Sequence, residues 1–408
     1  MKKTLFLLVA LVMMASLFTG CAQQPAPVSP AAPASPDAPS GGSGGQGEQS
    51  PEQSSEPIKI GYVGALSGET ALWGQAGLNG MLMTAEKVNA AGGVLGRQIE
   101  VIGLDGRGDP QDSLNAFLKL IDEHKVVAVV GTNFSSCNIP MAPVATQKQV
   151  PLIGTAPTNE LVTVDENGNL HPFSFRLTFI DNFQGAKMGE YAIREGFRNG
   201  AILTDVSDPY STGISRYCIE SFTANGGTMV AQEEANHGDN DFRAPLTKIK
   251  AANPDVLFIP WIYGDVALIA KQARELGIDC MFYGFDGWDS LELPQLAAGT
   301  LEGTRFCSRP GFALPDARAY GEEYQAKFNI ELETECLFGN DAILWLVQVI
   351  NEAGSADSIA IRDGLASTTN FEGLLGKMSI DPATHNPQRE LGIFEIRGNE
   401  YVLVELFG

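Results

Sequence analysis

Positive charge is scarce in this chain: 27 lysines and arginines face 49 aspartates and glutamates, a formal net charge of −22 over 408 residues. Binding a phosphate backbone needs a basic face, so nucleic acid is excluded as a partner. The four histidines, His124, His171, His237 and His385, stand in unrelated contexts and read as surface residues. None of the six cysteines falls in a CxxC or Cys/His ligand spacing, which speaks against a zinc site; no metal or other cofactor is expected. Beyond the Gly/Ser-rich N-terminal stretch there is no GxSxG, HExxH, GxxxxGK[ST] or GxGxxG, so no catalytic constellation assembles and an enzyme is not expected. Past the first twenty residues no apolar run reaches the length of a membrane helix.

The N-terminus has a different character. Lys2-Lys3, the apolar run Leu5 to Phe18 and the small residues Thr19-Gly20 ahead of Cys21 form a secretory leader over residues 1–20. Cys21 directly after Gly20 resembles a bacterial lipoprotein signal, in which the cysteine is lipidated and becomes the mature N-terminus. Residues 21–57 then carry Pro, Ala, Ser, Gly and Gln with almost no large apolar residue. That composition cannot bury a core and reads as a tether. Of the other cysteines, Cys137, Cys218, Cys280, Cys307 and Cys336, the pair Cys307 and Cys336 is the expected disulfide.

The remaining chain of about 350 residues exceeds what one core usually supports, which predicts two domains. Ile58 to Ala65, Gln98 to Leu104 and Val126 to Val130 read as strands, with helices from Gly74 and from Pro110 to His124 between them. Phe173 to Leu177 reads as an extended crossover. The alternation resumes with a helix capped by Asp181-Asn182, a strand Gly200 to Thr204, a helix Tyr210 to Asn225, and further strands at Thr228 to Glu233, Val256 to Ile259 and Met281 to Tyr283. Gly303 to Ser308 reads as a return strand, Asp316 to Phe328 and Asn340 to Ala353 as helices, and Gly392 to Ile396 with Tyr401 to Glu405 as a closing pair. Repeated strand–helix units give parallel sheets covered on both faces. Two such domains joined by several crossovers form a hinge that can enclose a ligand.

The stretch Gly131 to Leu161, GTNFSSCNIPMAPVATQKQVPLIGTAPTNEL, places two polar clusters, Ser135-Ser136 and Thr155 to Asn159, at the carboxyl ends of two strands. Ligands of open parallel sheets bind there, and free N–H groups of a helix start accept an anion, so a carboxylate is expected. The same serines also fit as caps of the following helix.

SGETALWGQAGLNGMLMTAEKVNAAGGVLGRQIEV, GTNFSSCNIPMAP, VPLIGTAPTNEL, SDPYSTG, KQARELG and GFDGW follow one another in an order that resembles the leucine/isoleucine/valine-binding family of ABC-importer receptors, over nearly all of Ile58 to Gly408. The resemblance implies the type I periplasmic-binding fold: two doubly wound α/β domains joined by a multi-crossover hinge, residues 58–179 with 308–384 and residues 180–307 with 385–408. It implies a monomeric, extracytoplasmic substrate-binding lipoprotein that takes an amino acid, foremost an aliphatic branched-chain one, and delivers it to permease subunits. The lipid anchor on Cys21 would be its contact with the membrane. The alternative is a receptor or sensor on the same fold for an amide, urea or an aromatic acid.

Carried over by position, the family's site falls on Ser135, with Ser136 beside it, for the ligand carboxylate. Ala156 and Thr158 supply a backbone carbonyl and a hydroxyl. Asp286 of GFDGW matches the acid that pairs with the α-ammonium; a buried ammonium without a counter-charge would cost several kcal/mol. Tyr210, Tyr263 and Trp73 match aromatics around the cleft.

Overall fold

The computed structural model describes residues 56–330 and 332–407. The leader, Cys21 and the tether to residue 55 lie outside them. Glu56 and Pro57, the last two tether positions, are tied down, their carbonyls accepting from the Arg97 guanidinium at 2.7 and 3.3 Å.

The first half alternates as the apolar runs dictate: β1 (Ile58–Gly64), α1 (Ala71–Ala90), β2 (Ile99–Asp105), α2 (Pro110–Asp122), β3 (Ala128–Val130), α3 (Ser135–Lys148), β4 (Leu152–Gly154) and β5 (Ser174–Arg176). These strands form one all-parallel sheet in the order β2-β1-β3-β4-β5. The segment expected to be a bare crossover therefore contains a strand, because Phe175 is apolar enough to sit in the core beside Ile153. Period-two alternation sends Ile58, Ile60 and Tyr62 to one face of the sheet and Val63 to the other, the signature of a sheet with two buried faces.

The chain then builds α4 (Asp181–Arg194), β6 (Asn199–Asp205), α5 (Pro209–Ala224), β7 (Thr228–Ala235), α6 (Arg243–Ala252), β8 (Val256–Ile259), α7 (Tyr263–Glu275), β9 (Met281–Gly284), α8 (Glu292–Ala297) and β10 (Arg305–Ser308). Asp181 opens α4 from inside rather than capping it: the preceding Ile180 holds the cap position and no side chain caps it. After β10 come α9 (Pro315–Phe328), α10 (Glu335–Ala353), α11 (Ser358–Ala366), β11 (Phe371–Gly373), β12 (Gly376–Ile380), β13 (Pro387–Gln388), β14 (Leu391–Arg397) and β15 (Glu400–Phe407). The second sheet runs β15-β14-β10-β9-β8-β6-β7, parallel from β10 to β7 with an antiparallel edge of β14 and β15, and β11-β12-β13 form a small antiparallel sheet.

Three connections pass between the two sheets: residues 177–180, residues 309–314, and the step from β13 to β14. Helices α9, α10 and α11 return to pack on the first sheet, where Tyr324, Leu346 and Leu365 share a core with Ile60 and Val130. The result is a mixed α/β fold of two parallel-stranded lobes. On the second sheet, β8 sends Val256 and Phe258 toward α4 and α5 and Leu257 and Ile259 toward α6 and α7.

Helices α1 and α10 approach closely because glycines face each other. A Cβ on Gly80 would overlap the Cys336 carbonyl, and one on Gly339 would overlap the Gly77 carbonyl. Gly80→Val should lower unfolding free energy by on the order of 3 kcal/mol, read as a lower urea midpoint with unchanged slope; an unchanged midpoint would show that the helices can separate at no cost.

The expected disulfide does not form. Cys307 on β10 lies in the core under α4, its Sγ 3.7 Å from Gln184 Oε1, whereas Cys336 on α10 lies in the core of the first lobe. All five cysteines among the described residues are free thiols. His385 is also not a surface residue: it is buried, stacked 4.2 Å from the Phe175 ring, with Nδ1 3.1 Å from the Ser174 carbonyl.

Candidate functional site

Strand β3 ends at Val130, and the polypeptide turns through Gly131, Thr132, Asn133 and Phe134 into α3. Asn138, one turn inside that helix, donates to the Thr132 carbonyl and hydroxyl at 2.9 Å, which fixes the loop. Phe134, not a serine, occupies the cap position. The capping reading of Ser135 and Ser136 therefore fails. The Ser135 hydroxyl instead accepts from the Asn159 N–H at 3.1 Å, so its own proton is left to donate elsewhere. The first-turn amides of α3 have no intrahelical acceptor.

A small cavity sits between the lobes. Ser135 and Ala156 line it from the first lobe, and Tyr210 and Asp286 from the second, with Trp73 at one side. Five of the eight expected ligand positions thus converge. Ser136 faces a neighbouring cleft that also contains Arg107, Asp208 and His237. Thr158 is fully buried behind the cavity, its carbonyl accepting from the Asp181 N–H at 2.9 Å and its hydroxyl unpartnered. Tyr263 does not line the cavity either: its ring packs 4.9 Å from Trp73 and its hydroxyl donates to the Glu69 carbonyl at 3.1 Å, joining the lobes. The lobes also touch where Asn159 Nδ2 donates to the Pro209 carbonyl at 2.8 Å and Arg216 pairs with Glu160 at 3.1 Å.

Asp286 opens the turn after β9 and is 5 % exposed. It does not stand free: Oδ2 accepts from Arg309 Nη1 at 2.6 Å, and only Oδ1 is unpartnered. Tyr210 Oη accepts from the Gly287 N–H at 2.8 Å, which fixes the ring beside this turn. Arg309 follows β10 on the second connection. It is 2 % exposed, lies 3.8 Å from Asp289 and stacks its guanidinium over Phe338 at 4.8 Å and Phe179 at 5.6 Å. Burial works to lower its pKa, but Asp286, Asp289 and Glu335 together hold it above the ordinary value.

Among the cavity-lining groups missed by the sequence reading are the polar residues Asn133, Asp208, Arg309 and Glu335. Glu335 begins α10; its Oε1 accepts from Asn133 Nδ2 at 2.9 Å and its Oε2 has no partner. No clean local signal marks Arg309 or Glu335: Arg309 follows Arg305 in RFCSR, and Glu335 is the third acid of ELETE. Burial, with Asp289 and Asp286 nearby and against Arg309, pushes the Glu335 carboxyl up to about 8. Burial also raises the Asp286 carboxyl despite Arg309, and takes Asp208, at the start of α5, up to about 6.

The sign for stability follows from proton binding. Between the ordinary carboxylate value and about 8 the folded chain keeps a proton on Glu335 that the unfolded chain has lost, so stability falls as pH rises through that window. Glu335→Gln should make the urea midpoint less sensitive to pH between 5 and 8. Equal sensitivity in both proteins would show that Glu335 titrates normally.

Two α/β lobes that jointly line one buried polar cavity define a small-molecule receptor. A sequence model of the periplasmic binding protein family matches residues 57–400, and the chain belongs to that family. Among solved structures it is similar to the leucine-binding protein LivK of Thermotoga maritima, at 30 % identity and a TM-score of 0.78, covering 86 % of this chain and 98 % of that one. It is likewise similar to the branched-chain amino acid transporter substrate-binding protein LivJ of Streptococcus pneumoniae, crystallised with isoleucine, at 31 % identity and a TM-score of 0.79, covering 86 % and 99 %. The leucine-, isoleucine-, valine-, threonine- and alanine-binding protein of Pseudomonas aeruginosa is 27 % identical over 331 residues, 80 % of this chain and 87 % of the relative. The resemblance to leucine/isoleucine/valine-binding receptors and the type I fold are thereby borne out.

Proposed function

We propose that this protein is the extracytoplasmic receptor of an ABC importer for an α-amino acid of branched-chain size. The observation that carries the reading is the single cavity lined by Ser135 and Ala156 from one lobe and by Tyr210 and Asp286 from the other. In it the carboxylate takes the Ser135 hydroxyl proton and first-turn amides of α3, which carry partial positive charge. The ammonium takes the unpartnered Asp286 Oδ1 and the Ala156 carbonyl, with Trp73 and Tyr210 as walls. Thr158 acts from behind, by holding the start of α4 beside the site.

Because the grip is divided between two lobes, a ligand that touches both favours their approach by its differential contacts. The two lobes correspond to the two ligand-binding domains, and the approached pair would present permease subunits with a surface neither lobe has alone. On this reading Cys21 carries the lipid anchor, and residues 21–57 are the tether that lets a monomeric receptor work near the membrane without entering it.

The test is calorimetric titration of the chain from Glu56 with aliphatic amino acids, benzoate, urea and acetamide. Binding of amino acids but not of their des-amino acids supports the reading. Binding of an amide or aromatic acid with no response to any amino acid would replace it by the alternative receptor, and product formation would make the protein an enzyme.

A further inference from the structure

The cavity has more hydrogen-bonding capacity than an amino-acid head group can use. Trp73 Nε1, Asn133 Oδ1, Asp286 Oδ1, Arg309 Nε and Glu335 Oε2 line it without partners, and each of these side chains is at least nine-tenths buried. The carboxylate and ammonium grips described above call on Ser135 and Asp286. Among the groups they leave are Asn133 Oδ1, an acceptor, and Glu335 Oε2, which bears the retained carboxyl proton and donates, on side chains already joined through Asn133 Nδ2 and Glu335 Oε1. An aliphatic side chain against this pair would keep both groups away from water with nothing to pair with, which is the costly arrangement for a buried polar group.

We infer that the cavity selects an amino acid of branched-chain size whose side chain both donates and accepts a hydrogen bond, a hydroxyl or a carboxamide, at the Asn133–Glu335 pair. The inference rests on the amino-acid reading of the same site. A neutral donor fits better than a cationic one. Arg309 lines the same cavity and already neutralises Asp286 at 2.6 Å, so a second side-chain cation would enter against a buried positive charge. Glu335 is thus a specificity-determining residue. It stands at the first position of α10, whose placement against α1 is set by the facing Gly80 and Gly339.

Isosteric ligand pairs test this on the unaltered protein. Threonine should bind at least about tenfold more tightly than valine, and asparagine than leucine, in calorimetric titrations, because a site built to pair a donor rejects the analogue lacking it. Glu335→Leu should abolish or reverse both preferences, and Glu335→Gln, whose oxygen can still accept from Asn133 while its N–H replaces the carboxyl proton as donor, should retain them; thermal unfolding of each variant confirms folding. Valine and leucine binding as tightly as their polar isosteres would overturn the inference while leaving the amino-acid reading intact. So would preferences untouched by Glu335→Leu, or ornithine binding above all of these ligands. Failure of every amino acid to bind would overturn the proposed function and this inference together.

Discussion

Arg309→Leu should destabilise the protein by about 3–5 kcal/mol, the usual cost of removing one partner from a buried ion pair. The guanidinium is the charge against which Asp286 at 2.6 Å and Asp289 at 3.8 Å are set, and Glu335 adds to the same field. Without it three carboxyl groups share a buried region with no cation among them. They can lower their energy only by taking up protons. The loss of stability should therefore be largest at pH 8 and smaller at pH 5, where protonation relieves the repulsion. Urea unfolding at the two pH values measures this. A variant as stable as the parent at pH 8 would show that the aspartates reach other donors.

The second large effect concerns Asp286. On sequence grounds alone, removing it should weaken leucine binding and leave folding nearly unchanged. The structure corrects the second half of that expectation, because Oδ2 holds Arg309. Asp286→Ala should lower amino-acid affinity by about 2–5 kcal/mol, since it leaves the ammonium without its counter-charge, and should also lower the unfolding midpoint. The two losses separate by ligand: leucine should suffer and 4-methylpentanoate, which lacks the ammonium, should be affected far less. Equal weakening of both would show that the ammonium is held elsewhere and that the variant acts only through Arg309.

The fold was legible in the sequence wherever an apolar run was bounded by turn residues. Val256 to Ile259 was delimited to the residue, and the helices after Pro110 and Asp316 to within a few. Departures have local physical causes. Helix α10 was expected to begin at Asn340, yet it begins at Glu335 and runs through Gly339. The glycine is there because α1 packs against it, a tertiary reason that no local pattern carries. That five-residue error hid Glu335 from the site. Ser135, Ala156, Tyr210, Asp286 and Trp73 were legible because family motifs mark the ends of the strands and helices that bear them. Arg309 was not, because its partner Asp286 lies more than twenty residues earlier and the two meet only when β10 pairs beside β9. The Cys307–Cys336 pairing failed for the converse reason: proximity along the chain said nothing about which of two cores each residue joins.

Trp73 sits on α1 of the first lobe but shares a core with Trp261, Trp288 and Tyr263 of the second, while Trp345 lies deep in the first lobe. Of the chain's four tryptophans it alone has its surroundings divided between the two halves. Any separation of the lobes would strip its indole of the Tyr263 ring and expose it to water, while the other three indoles stay in place. The protein therefore carries an intrinsic optical gauge: its emission should shift to longer wavelength as the cleft opens and back as ligand is added, and a Trp73→Phe variant should lose the signal.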